Sequence, residues 1–168
     1  MQTTATIVPK IIVLHYTAGG TITSNFNYFN NVEIEAARKA NKDASTLNVS
    51  SHFLVDRDGT VYQLMPDNYF ARHTIGLNYC AIGIENIGSN TQPLTALQVV
   101  ANAGLVRMLK AKYNINYLIG HSEYNKFKNT PIWKETNPNY INAKDDPGDN
   151  FLIQVRKLIS DLKLKYVP

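Results

Sequence analysis

The chain carries four histidines, and two of them, His15 and His121, each sit at the end of a short apolar run. Ile11 to Leu14 leads into the first, and Tyr117 to Ile119, then Gly120, leads into the second. Continuous β-branched runs suit strands buried on both faces, and sites collect in the crevice where central strands end. A third chemical group lies in Lys144-Asp145-Asp146-Pro147-Gly148. Pro147 and Gly148 set a tight turn there, and a carboxylate held in it can complete a three-ligand metal set with two imidazoles. Zinc takes nitrogen and oxygen ligands at about 2.0–2.2 Å, and its catalytic sites keep a fourth position for water. Each residue has a plainer reading as well. A histidine at a strand end often only packs, and Asp146 can cap the turn or the helix after it. There is one cysteine, Cys80, so neither a disulfide framework nor a multi-cysteine zinc site is available.

The elements that must position these residues follow from local pattern. After His15 the chain runs into Tyr16-Thr17-Ala18-Gly19-Gly20, where the double glycine marks a loop. Thr23 to Asn41, with Phe26, Phe29, Ile34, Ala37 and Arg38, fits a helix. Val49 to Asp56 and Thr60 to Met65 flank Arg57-Asp58-Gly59, a hairpin that turns at Asp-Gly. Tyr79 to Ile87 reads as another buried strand, with Ala81, Ile82 and Ile84 apolar and Glu85 inside the run. Thr95-Ala96-Leu97-Gln98 is a capping box, and Leu97, Val100, Ala101, Leu105, Met108 and Leu109 recur behind it at helical spacing. Asn125 to Ala143 is irregular and rich in Asn, Pro and Lys. Asp149 can cap a last helix with Leu152, Val155, Leu158, Ile159 and Leu162 along one face. The expectation is an α/β fold: a single domain over residues 1–168, with a central mixed β-sheet flanked by helices and the metal site at the strand ends.

Composition narrows the function classes. A chain of 168 residues, 44% hydrophobic and 18% charged, suits one globular domain with one core. No apolar run approaches the roughly 20 residues of a membrane-spanning helix. Met1 to Lys10 does not read as a signal peptide. The formal net charge of +4 suits an anionic partner such as a cell-wall polymer. No dense Lys/Arg run or aromatic-basic ladder argues for nucleic acid.

Set in order, several segments resemble the zinc amidases of the N-acetylmuramoyl-L-alanine amidase family, which includes phage lysozyme-type amidases and peptidoglycan recognition proteins. They are Ile12-Val13-Leu14-His15-Tyr16-Thr17-Ala18, Val49 to Leu64, Ala71-Arg72-His73, Ile82-Gly83-Ile84-Glu85, Ile119-Gly120-His121-Ser122-Glu123 and Lys144-Asp145-Asp146-Pro147-Gly148. The resemblance implies Zn2+ as cofactor, held by His15, His121 and Asp146, with Glu85 and Lys144 acting in catalysis. Glu85 would be the base that takes a proton from the attacking water; its plainer reading is a salt-bridged structural carboxylate. Lys144 would stabilise the oxyanion formed at the amide carbonyl. His73 would line the cleft and help to bind the sugar or the tetrahedral intermediate. His52, opening the hairpin, would pack or support the site from behind.

Three departures from the family pattern stand out. Phage members place a catalytic tyrosine before the hairpin histidine, whereas this chain has Ser51, which favours the Glu85-based variant. They use a cysteine as third ligand, whereas this chain has Asp146, and Cys80 reads as a buried small hydrophobe. The stretch from Ser122 to Ala143 is long and carries Tyr124, Phe127, Trp133 and Tyr140. It either walls the cleft, with Trp133 stacking on sugar or peptide, or decorates the surface. The implied reaction is cleavage of the amide between N-acetylmuramic acid and L-alanine, in peptidoglycan or muropeptides. The expectation is a monomer; the substrate suits the cell envelope, and the absent signal peptide suits a cytoplasmic recycling role. The rivals are a non-catalytic peptidoglycan-binding module and a zinc hydrolase of another small amide. The paired cysteines of the zinc deaminases are absent.

Overall fold

β1 (Ile11–Tyr16) is flanked on both sides by parallel strands in a mixed five-stranded sheet, in a computed structural model that describes residues 5–34 and 46–168. The sheet order is β3-β2-β4-β1-β5, with β2 (Phe53–Val55), β3 (Val61–Gln63), β4 (Ala81–Asn86) and β5 (Tyr117–Gly120). β4 and β5 run parallel to β1, β2 runs parallel to β4, and only the β2–β3 hairpin is antiparallel. That hairpin turns where Asp58-Gly59 lies. Gly59 takes φ +86°, and the Asp56 amide donates to the Thr60 carbonyl at 2.9 Å.

Strand alternation sorts the side chains into two cores. Ile12, Leu14, Ile82 and Ile84 face α2 (Ala96–Lys112) and α3 (Asp149–Leu158), meeting Val106, Leu109, Leu152 and Val155. Ile11, Val13, Ala81 and Ile119 face the other way, onto Leu77, Cys80, Tyr124 and Phe127. Both faces of β1 are therefore covered, as its unbroken apolar run requires. Each such side chain taken from water contributes roughly 1.5–3 kcal/mol. α2 and α3 share one face, while the loop before β4 and a 3-10 segment, His121–Phe127, close the other.

Three helix expectations are corrected. α1 spans Ile22–Phe29, not Thr23 to Asn41, and Asn30 closes it. Beyond it Glu33 pairs with Leu47 in an antiparallel bridge, and the Ile34 amide donates to the Thr46 carbonyl. Extended pairing has displaced the helix that Ile34 suggested; Ala37 and Arg38 lie outside the described residues.

On α2 the capping box at Thr95 is present, and of the expected apolar face Leu105 and Leu109 are buried and Ala101 packs against the core, but the other three are exposed. Leu97, Val100 and Met108 are 58%, 62% and 50% exposed, whereas Gln98, Val99, Asn102, Ala103 and Val106 are buried. The two amides explain the choice. Gln98 Nε2 donates to the Val55 and Ile87 carbonyls at 3.2 and 3.0 Å, and Asn102 Nδ2 donates to the side-chain oxygen of Asn86 at 2.6 Å. Buried carbonyls need donors, and this outweighs the greasier stripe.

On α3 the N-cap is Gly148, with no side-chain cap bond. Asp149 sits in the first turn, where a negative charge suits the helix dipole. Leu158 is largely exposed, and Phe151 takes a core place instead.

Candidate metal centre

The sheet register sets up the site. His15 pairs with Glu85 across β1 and β4, and Leu14 pairs with Gly120 across β1 and β5. His121 follows Gly120, so Glu85, His15 and His121 come from adjacent parallel strands at one level. Paired residues of neighbouring strands project to one face, here the face without α2 and α3. Asp146 comes in from the loop before α3.

His15, His121 and Asp146 are buried and converge on one point. His15 Nδ1 lies 3.0 Å from His121 Nδ1 and 3.3 Å from Asp146 Oδ2, and His121 Nδ1 lies 3.2 Å from Asp146 Oδ2. Three donors bound tetrahedrally to zinc at about 2.0–2.2 Å stand roughly 3.3–3.6 Å apart. The observed triangle is close to that size. Nitrogen and oxygen are also the donor types zinc accepts, so the residues fit the ion.

Electrostatics favour the ligating forms. Burial, with the neighbouring His121 second, lowers the His15 pKa to about 4, so the ring is neutral near pH 7. Burial acts to raise the Asp146 pKa, but hydrogen bonding with His121 and His15 outweighs it and holds the carboxyl well below the usual carboxylate range.

The acidic loop is braced from two sides through Asp145. The Tyr16 hydroxyl donates to Asp145 Oδ1 at 2.9 Å, and Asn90 Nδ2 donates to Oδ2 at 2.5 Å. Burial, then the Asp145 carboxylate, pushes the Tyr16 phenol up to about 12. Lys144 is exposed, and its charge acts on His15. Tyr16, Asn90 and Asp145 were not singled out from sequence. Tyr16 and Asp145 are chain neighbours of ligand candidates, but nothing local ties Asn90 to them.

His121 is held from below. Glu123 Oε2 accepts from the Gly120 amide at 3.0 Å and from Arg156 Nη2 at 2.5 Å, tying the end of β5 to α3. Burial acts to raise the Glu123 pKa, but the Arg156 hydrogen bond and the Gly120 amide win and keep it below the ordinary glutamate value. A lowered folded-state pKa stabilises the fold above the unfolded value, about 4.3, and that gain fades as pH falls. Glu123→Ala is therefore expected to cost roughly 1–3 kcal/mol at pH 7. Urea unfolding should show the gap from wild type shrinking at pH 3.5; a gap that is constant with pH would remove the ionic contribution.

The remaining candidates are placed as follows. Glu85 is half-buried in β4 beside His15. His52 is buried, accepting from the Gly83 amide at Nδ1 and lying 2.8 Å from the Tyr69 carbonyl at Nε2, so both nitrogens serve packing. His73 stands behind His15, its Nδ1 3.1 Å from His15 Nε2 and its Nε2 3.2 Å from the Ala81 carbonyl. Both ring nitrogens of His73 are thus engaged inside the protein, while the residue itself is partly exposed. Burial, then the nearby His15, lowers its pKa well below the ordinary value. Ser51 is fully buried and 3.4 Å from the Phe53 carbonyl, so it offers nothing in place of a tyrosine. Cys80 is buried in the second core. Trp133 stacks on Tyr124 with centroids 6.0 Å apart and lies over Gly76, where a Cβ would come within 2.6 Å of the indole. It clamps the irregular stretch to the core, so the expected substrate contact rests on what its half-buried ring leaves exposed.

Known proteins share this chain's sequence pattern and its fold. A family model described as N-acetylmuramoyl-L-alanine amidase matches residues 5–149. No curated protein matches in sequence. Among solved structures, the chain is similar to N-acetylmuramoyl-L-alanine amidase LysC from Clostridium intestinale URNW at 25% identity and TM-score 0.60, covering 98% of this chain and 95% of that one. It is similar to AmpD, solved as a selenomethionine derivative, at 26% identity and TM-score 0.63, covering 89% and 84%. It shares its fold with the N-acetylmuramyl-L-alanine amidase AmiD from E. coli, solved with anhydro-N-acetylmuramic acid-L-Ala-D-gamma-Glu-L-Lys, at 22% identity and TM-score 0.58, covering 92% and 60%.

Proposed function

We propose, on the premise that this chain belongs to the N-acetylmuramoyl-L-alanine amidase family, that it hydrolyses the amide between N-acetylmuramic acid and L-alanine with a zinc ion held by His15, His121 and Asp146. The observation that carries this reading is the triangle of three buried ligand atoms with edges of 3.0, 3.2 and 3.3 Å. Bound there, zinc would act as a Lewis acid and lower the pKa of a water from 15.7 toward about 7.

The chain's own groups divide the remaining work. Glu85, beside His15 in the sheet register, accepts the proton of the attacking water. The new C–O bond forms at the lactyl carbonyl, and Lys144 donates to the oxygen that gains charge. The C–N bond then breaks, and Glu85 returns its proton to the L-alanine nitrogen. Asp145, tied to Tyr16 and Asn90, keeps Lys144 and Asp146 at the mouth of the site.

A peptidoglycan substrate suits work at the cell envelope, whereas recycling of fragments suits the cytoplasm. Among the described residues no helix is long and apolar enough to cross a membrane.

Mass spectrometry of muropeptides, with and without a chelator, tests the proposal. The expected products are a free lactyl end and a peptide starting at L-alanine, formed with zinc and suppressed by the chelator. Binding without cleavage at stoichiometric zinc would leave a recognition module. Cleavage that continues in metal-free protein would remove zinc from the reaction.

A further inference from the structure

We infer that His73 is a positioning residue that fixes the tautomer of His15, so that His15 Nδ1 presents a lone pair to the metal centre. The purpose of that lone pair rests on the metal reading proposed above, but the hydrogen-bond chain that sets it does not.

The chain starts at an atom that can only accept. His73 Nε2 lies 3.2 Å from the Ala81 carbonyl oxygen, so this nitrogen carries the hydrogen. A neutral imidazole then has its lone pair on Nδ1. That atom receives the Thr74 hydroxyl at 2.9 Å and faces His15 Nε2 at 3.1 Å. His15 Nε2 therefore carries the hydrogen in its turn. The lone pair of His15 is left on Nδ1, the atom that meets His121 Nδ1 at 3.0 Å and Asp146 Oδ2 at 3.3 Å. Only an unprotonated ring nitrogen can bind a metal, and the partner of the other nitrogen decides which one that is.

The seat of the His73 ring is built for this. Gly83 lies in the middle of β4, and a Cβ there would come within 2.7 Å of His73 Cγ and 2.8 Å of its Nδ1. A glycine inside a strand marks such a close approach. His52 packs edge-on against the ring, its centroid 5.8 Å from that of His73, while its own Nδ1 accepts from the Gly83 amide. The His73 ring stands nearly perpendicular to His15, at 88°. Held between β4 and His52, the ring keeps its Nδ1 aimed at His15.

Two measurements test this. Long-range proton–nitrogen spectra of the metal-free protein should show His15 protonated at Nε2 and bare at Nδ1; a hydrogen on Nδ1 in the wild type would overturn the inference. This readout stands even if the wild type takes up no zinc, an outcome that would sink only the metal reading. Competition titration with zinc then compares variants. His73→Ala should bind zinc about 10–100-fold more weakly. His73→Asn, whose amide oxygen can accept from His15 Nε2, should recover most of the loss. Gly83→Ala, which displaces the ring, should behave like His73→Ala. Wild-type affinity in a folded His73→Ala, or no recovery in a folded His73→Asn, would also overturn it. Should His73→Ala fail to fold, His73→Asn and the wild-type spectrum decide the matter.

Discussion

Single alanine replacements of His15, His121 and Asp146 are expected to abolish both zinc binding and amide hydrolysis. Each supplies one corner of a triangle whose edges are 3.0 to 3.3 Å, and none has a stand-in among the described residues, where this trio is the one candidate metal-holding group. Loss of one corner leaves two donors, too few for a site that takes three protein ligands and keeps one position open. The losses should differ in kind. Asp146→Ala removes the anionic member, whereas either histidine change leaves the carboxylate buried beside one imidazole in place of two. Such a carboxylate has lost a partner that held its pKa down. Metal content after dialysis, read beside muropeptide cleavage, checks all three variants. Full turnover by any one of them would refute the ligand assignment.

Glu85→Gln should separate metal from chemistry. Its position next to His15 in the β1–β4 register puts the carboxyl on the same face as the triangle, but it supplies none of the three atoms. Zinc content should therefore match the wild type, while the cleavage rate falls about 10²–10⁴-fold, the usual worth of a positioned general base. The glutamine keeps the shape and loses the ability to take a proton. An unchanged rate would take Glu85 out of the reaction and return it to the plainer reading of a structural carboxylate.

The elements whose signals are local were legible in the chain alone. The apolar runs before His15 and His121, the Asp-Gly turn and the Thr95 capping box each depend on a few neighbouring residues, and each is present. The metal trio was legible as residue types at strand ends and a turn, and the family resemblance joined them. Local pattern failed where a distant partner decides. Ile34 looked helical, yet its segment pairs with Thr46 and Leu47. Within the apolar stripe of α2, Leu97, Val100 and Met108 are exposed, while Gln98 and Asn102 are buried, bonded to the Val55 carbonyl and to the Asn86 side chain.

What the sequence by itself determined is the kind of elements and the inventory of chemical groups, because backbone propensity and side-chain type act within a few residues. What only the tertiary structure decided is register and direction. Register aligns Glu85, His15 and His121 at one level, Asn90 reaches Asp145, and His73 Nδ1 meets His15 Nε2. These depend on hydrogen bonds between residues 55, 58 and more positions apart. Such bonds have no local signature, because they form only when the whole sheet has brought their partners together.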